Sequence, residues 1–272
     1  MRRLPFAALP RATTRLSGRL SGRAAAHSFA MSGCGWLTPF HLGVVKELQT
    51  RGLVDEQTTC AGTSGGALGA LTMISGIIPD DALEAMIKFG SKPELHDDIE
   101  ANMRVLIHNL LTANGKENAK VLQNCNNRLI IVVTRVWPEP TLKPLLIKNF
   151  ESLPFLIDVV GASCFIPFWS ASAKSTTKLT VEAPASGIGK DHQLVDGGFL
   201  AFMPPVGDVR ISPFPRQLIL LPKSKPHISL PLGSYSVPQL LSWVLKPAPE
   251  KILRELYQHG RTEAARWVDK QK

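Results

Sequence analysis

Thr58-Thr59-Cys60-Ala61-Gly62-Thr63-Ser64-Gly65-Gly66-Ala67-Leu68-Gly69 is the stretch on which the reading of this chain turns. A short β-prone segment breaks into a serine flanked by glycines and continues as a helix of small residues. Gly62 to Gly66 match Gly-x-Ser-x-Gly, the pattern of a nucleophile elbow, in which a serine sits on a sharp strand-to-helix turn. Glycines two before and two after the serine relieve crowding that a Cβ would create, and the hydroxyl is pushed out toward substrate. Glycine and serine are common residues, so the neighbouring segments have to decide what the match means.

Upstream, His27 to Met31 reads as a brief strand ending in Ser32-Gly33-Cys34-Gly35. Leu37, Phe40, Val44 and Leu48 then recur at helical spacing until Arg51-Gly52 stops the helix. A Gly-rich turn feeding a helix exposes unpaired N–H groups beside the positive end of the helix dipole, which suits an anion, either a phosphate or a developing oxyanion. The spacing fits neither Gly-x-Gly-x-x-Gly nor a phosphate-binding loop with Gly-Lys-Ser/Thr, which disfavours nucleotide binding.

Downstream, Pro79-Asp80-Asp81 opens a helix to Phe89, and Met103, Leu106, Ile107, Leu110 and Leu111 mark another. Leu129 to Val133 is a continuous apolar run of the kind buried on both faces of a parallel sheet. Leu145 to Ile147 reads as a strand, Leu153 to Val160 as a helix, and Gln193 to Val195 as a strand that delivers Asp196-Gly197-Gly198 at its end. Val209 to Ile211 and Gln217 to Leu221 read as late strands. Ser170 to Lys190 and Pro222 to Pro238 read as surface connections, and Leu253, Leu256, Tyr257, Ala264 and Trp267 as one stripe of a final helix. Alternation of strands and helices predicts an α/β fold.

The 272 residues suffice for one large α/β domain, expected over residues 27–272. The net charge of +9 is uneven: Arg2, Arg3, Arg11, Arg15, Arg19 and Arg23 fall in the first thirty residues, which contain no acid. That Arg-rich, acid-free, amphipathic composition predicts an organellar targeting segment over residues 1–26, mitochondrial or plastid, with a basic arm as the alternative. The mildly basic body predicts no nucleic-acid partner. Cys34, Cys60, Cys125 and Cys164 are scattered in apolar or small-residue surroundings and form no Cys-x-x-Cys pair, which predicts free thiols, no zinc site and no other metal or cofactor. The most apolar stretch, Leu153 to Trp169, is interrupted by Pro154, Asp158 and Pro167, so no membrane span is expected.

A serine hydroxyl is a poor nucleophile at neutral pH, so an active Ser64 needs a base and donors for an oxyanion. The amides of Gly33, Cys34 and Gly35 are candidates for the donors. Asp196, at a strand end and followed by two glycines, is the candidate base, and partial burial would raise its pKa toward a useful range. The thiol of Cys34 has no His-like partner to form a thiolate. His227 and His259 follow Asp196, which leaves a Ser-Asp-His triad formally open in chain order. Trp36, Phe165 and Phe168 either line an apolar acyl site or pack.

Three motifs in this order make the resemblance specific: the chain resembles the patatin-like phospholipase domain family. Ser32-Gly33-Cys34-Gly35-Trp36 with Phe40-His41-Leu42-Gly43-Val44 is similar to the family's oxyanion loop and first helix, Gly62-Thr63-Ser64-Gly65-Gly66 to its nucleophile elbow, and Asp196-Gly197-Gly198 to the motif that supplies the second dyad residue. Gly161 to Pro167, Ile211 to Phe214 and Tyr257 to Gly260 are similar to the branch containing adipose triglyceride lipase and adiponutrin. The resemblance implies a three-layer α/β/α fold with a mainly parallel central sheet, a Ser64–Asp196 dyad without catalytic histidine, and hydrolysis of lipid acyl esters at a membrane or lipid-droplet surface. It implies supporting roles for Gly62, Gly65, Gly66, Gly197 and Gly198. Two positions depart from the family pattern. Trp36-Leu37-Thr38-Pro39 replaces a Lys or Arg after the glycines, which favours neutral acylglycerols, and Phe199 to Met203 stand where the family shows Asn shortly before Pro. That second departure makes a catalytically weak lipid-surface module the alternative to an active enzyme. Acyl transfer to an alcohol uses the same acyl-enzyme.

Overall fold

The computed structural model describes residues 27–272 apart from 116, 141–142 and 181–186. The basic segment expected over residues 1–26 therefore lies outside the described residues. The elements run β1 (Ser28–Met31), α1 (Thr38–Thr50), β2 (Thr59–Thr63), α2 (Gly65–Ser75), α3 (Pro79–Gly90), α4 (Ile99–Thr112), α5 (Asn118–Cys125), β3 (Leu129–Trp137), β4 (Leu145–Ile147), α6 (Leu153–Ser163), β5 (Gln193–Asp196), β6 (Val209–Ser212), β7 (Ile228–Ser229), α7 (Val237–Leu245) and α8 (Glu250–Asp269). The sheet order is β4-β3-β2-β1-β6-β7, with β5 also on β3. The central pairings β3–β2, β2–β1, β1–β6 and β6–β7 are parallel, while β4 and β5 join β3 antiparallel. Helices cover both faces. The sheet carries the core, with Phe29, Met31, Ile131 and Val133 buried beside helix residues such as Phe40, Leu71 and Phe155.

Local chemistry accounts for the helix ends. Ser152 Oγ accepts from the Phe155 amide and Pro154 sits in the first turn of α6, while the Asp98 carboxylate accepts from the Ala101 amide at the start of α4. The final helix is not a peripheral tail. A Cβ at Gly43 of α1 would strike the Tyr257 carbonyl of α8, and one at Gly260 would strike the Phe40 carbonyl, so the two backbones cross at a distance only glycine permits.

β3 decides the placement of the functional residues. Thr63 of β2 pairs with Val132 on one edge, and Leu146 of β4 pairs with Val132 on the other. The next residue, Val133, pairs with Leu145 of β4 and Asp196 of β5. A strand has two edges, so β5 occupies the edge that β2 has just vacated. The carboxyl ends of β2 and β5 therefore meet along one edge of β3, with Ser64 one residue beyond the first and Asp196 the last residue of the second.

Two expectations need correction and a third is extended. Gln217 to Leu221 is not a strand: Arg216–Leu218 is a 3-10 turn, Pro215 and Pro222 interrupt the chain's donors, and Leu220 and Leu221 stand exposed. The stretch 222–238 is more than a connection, because it contains edge strand β7 and the first turn of α7. Leu129 to Val133 continues as a strand to Trp137, the extra residues being those that receive β5. No described helix is long and apolar enough to cross a membrane.

Candidate active site

Ser64 stands at φ 53° and ψ −130° between β2 and α2, a conformation that β-carbon sterics disfavour and that marks a strained turn. Its amide donates to Ser163 Oγ at 3.0 Å, and that hydroxyl donates to the Val132 carbonyl at 2.7 Å. Ser163, wholly buried at the end of α6, thus ties the elbow to β3. Nothing in the spacing of the sequence pointed to Ser163, although it lies in the Gly161–Pro167 segment. Gly62 is in β2, and Gly65 and Gly66 open α2; a Cβ at Gly66 would strike the carbonyls of Met31 and Ser32. The elbow therefore packs directly on the strand that ends in the Gly-rich loop.

Replacing Ser163 with alanine removes the acceptor for one buried amide and the donor to one buried carbonyl. The expected result is a loss of about 1–3 kcal/mol in stability and a fall in kcat of up to about 100-fold through misplacement of Ser64, read by thermal unfolding and initial rates. Full activity in that variant would remove Ser163 from the positioning of the elbow.

The Gly-rich loop is held from several sides. The Ser32 amide donates to the Ile211 carbonyl at 3.0 Å, and the Gly33 amide donates to the Phe202 carbonyl at 2.8 Å. His41 Nε2 lies 3.0 Å from the Ser32 carbonyl. Burial pushes the His41 pKa down to about 4, so the ring is neutral and Nε2 is the donor. Gly35 has φ +53°, and a Cβ there would strike the Val244 carbonyl of α7. The site of that absent Cβ on Gly33 is 3.5 Å from Ser64 Cβ, so loop and elbow are neighbours. Gly33's amide is committed to Phe202, whereas those of Cys34 and Gly35 donate to no protein group among the described residues. The Cys34 thiol is buried beside Thr38, and burial pushes its pKa up to about 12, leaving it protonated.

Asp196 ends β5 with its amide donating to the Phe165 carbonyl at 2.8 Å. Oδ1 accepts from the Gly198 amide at 2.6 Å. Gly197 and Gly198 form the 3-10 turn that brings this amide back, and a Cβ at Gly197 would strike the Val132 carbonyl. Asp196 Oδ2 is buried without a hydrogen bond of normal geometry. Burial raises the carboxyl pKa to about 6, while the nearby Ser64 hydroxyl and the Gly198 amide oppose part of the rise. The histidines stand elsewhere. His227 Nδ1 accepts from the Arg210 amide at 3.0 Å, His259 packs its ring on Tyr235, and neither has a hydrogen bond to Ser64 or Asp196.

Ser64 lines an apolar cleft together with Gly35, Trp36, Leu68, Met86, Phe89, Met103 and Trp169 among others. A second, small apolar chamber lies behind it and shares Leu68, Met86, Met103 and Leu106 as a common wall. The three aromatic residues singled out in the sequence separate here: Trp36 lines the cleft, Phe165 is fully buried in a small cluster with Ala171 and Val195, and Phe168 is 67% exposed.

Fold and site define the class: an α/β/α protein with a mostly parallel sheet, a serine elbow, and a buried aspartate delivered to the same strand edge. The chain belongs to the patatin-like phospholipase family, whose model matches residues 29–207, well over half of its length. It is 27% identical over 262 residues to the mouse protein named 1-acylglycerol-3-phosphate O-acyltransferase Pnpla3, covering 89% of this chain and 59% of that one. The human protein of that name is 25% identical over 264 residues, covering 89% and 50%. The chain thus spans between half and three-fifths of the curated relatives it matches. The crystal structure of VipD from Legionella pneumophila superposes with a TM-score of 0.51 at 12% identity, over 91% of this chain and 67% of that one, a likeness of fold.

Proposed function

We propose that this chain is a lipid acyl-ester hydrolase in which Ser64 is the nucleophile and Asp196 its base. The observation that carries the reading is a strained serine that lines an apolar cleft and stands beside a buried carboxylate of raised pKa. Ser64 Oγ attacks the ester carbonyl carbon while its proton passes to Asp196 Oδ2. The free amides of Cys34 and Gly35 receive the oxyanion, that of Gly33 being spent on holding the loop to Phe202. Collapse of the tetrahedral intermediate breaks the bond to the alcohol, which leaves with the proton from Asp196. Water then attacks the acyl-enzyme as Asp196 again takes a proton, and when the bond from the acyl carbon to Ser64 Oγ breaks Asp196 returns that proton to the serine and the fatty acid departs. A Trp-lined cleft without a lysine or arginine favours neutral acylglycerols.

Transfer of the acyl group to a lysophosphatidate acceptor instead of water is the second reading, favoured by the names of the two mammalian relatives. Incubating the wild-type protein with triacylglycerol, diacylglycerol and phosphatidylcholine, with and without lysophosphatidate, decides between them. Free fatty acid as the sole product supports hydrolysis, acylated acceptor supports transfer, and turnover of none of these lipids removes the catalytic reading.

The two chambers also set an acyl-chain preference. Gly65 beside the nucleophile and Thr72 on the rear chamber are about 10 Å apart along α2 at the usual helical rise, a span that a butyryl group does not cover and a long-chain acyl group does. Ala82 lines only the rear chamber. Ala82→Met is expected to lower the ratio of palmitoyl to butyryl ester kcat/KM by about tenfold, one lost methylene-scale contact or two at about 0.8 kcal/mol each. An unchanged ratio would place the acyl tail outside that chamber.

A further inference from the structure

From Val209 to Pro249 the chain contains no aspartate or glutamate, but it contains Arg210, Arg216, Lys223, Lys225 and Lys246. The same segment holds exposed Leu218, Leu220, Leu221, Leu232, Val237, Leu241 and Leu245, about half of the large apolar residues exposed among the described residues. Monomeric proteins scatter such residues singly and intersperse both signs of charge, so an acid-free run with this many bare leucines indicates a partner. Its chemistry must be apolar and anionic together.

The topology places the stretches that leave β6 and β7 at the Ser64 end of the sheet, while Arg210 and Lys225, joined by the bond from Arg210 Nε to the Lys225 carbonyl, lie toward the amino ends of those strands. β6 and β7 run parallel to β1 and β2, so residues 213 and 230, just past their carboxyl ends, emerge on the side where β1 gives way to the Gly-rich loop and β2 to the elbow. Phe214 packs its ring on Phe202, whose carbonyl holds the Gly33 amide. α7 presses its backbone at Val244 against Gly35. Leu240 of α7 is buried and Trp243 packs on Tyr235, whereas Val237, Leu241 and Leu245, four residues apart, form an outward stripe. Nine residues are far too few to span a bilayer, and a helix apolar on its outer face beside lysine suits the boundary between headgroups and acyl chains.

We propose that the outer face of α7, with Leu232 before it and Lys246 after it, docks on an anionic phospholipid surface, and that α7 thereby holds the Gly35 loop and the mouth of the cleft against that surface. The proposal deepens the reading of Ser64 as a lipid acyl hydrolase by naming the surface on which it works, but its test does not depend on turnover. Leucines enter the acyl boundary, Lys246 at the end of α7 faces the phosphates, and the lipid reaches Ser64 across the Gly35 turn.

The test is flotation of the full chain carrying Ser64→Ala with phosphatidylcholine vesicles, with and without phosphatidylserine, at low and high salt. Leu241→Glu is compared with Val105→Glu, which places the same charge on an exposed residue of α4. The arginines before residue 27 are common to all these proteins, so differences belong to the substituted face. Partition is expected to favour phosphatidylserine, to fall with salt, and to drop about tenfold in Leu241→Glu while Val105→Glu matches the parent. Equal partition of the two variants would overturn the proposal, as would equal binding to both lipids regardless of salt. Concentration-dependent self-association lost in Leu241→Glu, without vesicle binding, would also overturn it by making a second copy the occupant. Hydrolysis of a dispersed butyrate ester by the wild type is measured separately. Its absence beside intact vesicle binding removes the catalytic reading and leaves the docking face standing.

Discussion

Ser64→Ala is expected to reduce acyl-ester turnover by roughly 10⁴-fold or more while leaving the unfolding transition in place. The asymmetry follows from how the residue is held. Its backbone carries the structural interactions: the amide to Ser163 Oγ, the carbonyl accepting from Ala67, and the positive φ of the turn. Alanine keeps all three and loses only the hydroxyl. Residual turnover would then report what the Cys34 and Gly35 amides achieve on a water-driven reaction. A serine-directed fluorophosphonate provides the independent measurement, since labelling of the wild type at Ser64 and none in Ser64→Ala locates the nucleophile chemically. Undiminished hydrolysis in the alanine variant would mean that another group attacks the ester. Cys34 is a poor substitute, because its buried thiol stays protonated across the working range.

The parts of this site that were legible in the sequence are those in which a backbone constraint demands glycine. Gly62 to Gly66, Gly33 to Gly35 and Gly197-Gly198 are visible because their turns exclude side chains, and the parallel strands are visible because both faces are apolar. Even the helical segments Phe40–Val44 and Tyr257–Gly260, noted separately, prove to be one crossing whose closeness rests on Gly43 and Gly260. What was not legible is pairwise. That β5 runs antiparallel on the edge of β3 beyond β2 follows from register, which no local pattern encodes. Ser163 and the Phe202 carbonyl contribute a hydroxyl and a peptide group that look ordinary in a sequence and matter through what they touch. The Gln217–Leu221 segment failed for the opposite reason. Its β-like apolar run has no strand to pair with between two prolines, and its leucines face outward.

Asp196→Asn separates function from stability by moving them in opposite directions. The folded-state carboxyl titrates near 6, above the ordinary value of 3.8, because burial penalises its charge more than Ser64 and Gly198 relieve it. An acid whose pKa is raised on folding favours the fold when protonated: that contribution is complete below pH 3.8 and is lost as pH rises through about 6. At neutral pH the ionised group therefore costs the fold on the order of 1–3 kcal/mol, consistent with a carboxylate that is almost wholly buried. Asparagine removes the charge and retains an oxygen for the Gly198 amide. Its expected effect is a rise in melting temperature of several degrees at neutral pH, at about 2–4 °C per kcal/mol for a chain of this size, shrinking toward zero in acid. Catalysis should respond the other way, because only the carboxylate can take the Ser64 proton. Wild-type kcat/KM is expected to climb with pH and level off above about 6, and Asp196→Asn to lose about 10²–10⁴-fold together with that inflection. His227→Ala and His259→Ala should keep the inflection, since neither ring touches the pair. A variant that is both less stable and less active would identify Asp196 as a structural turn residue, and transfer of the inflection to either histidine would restore the triad.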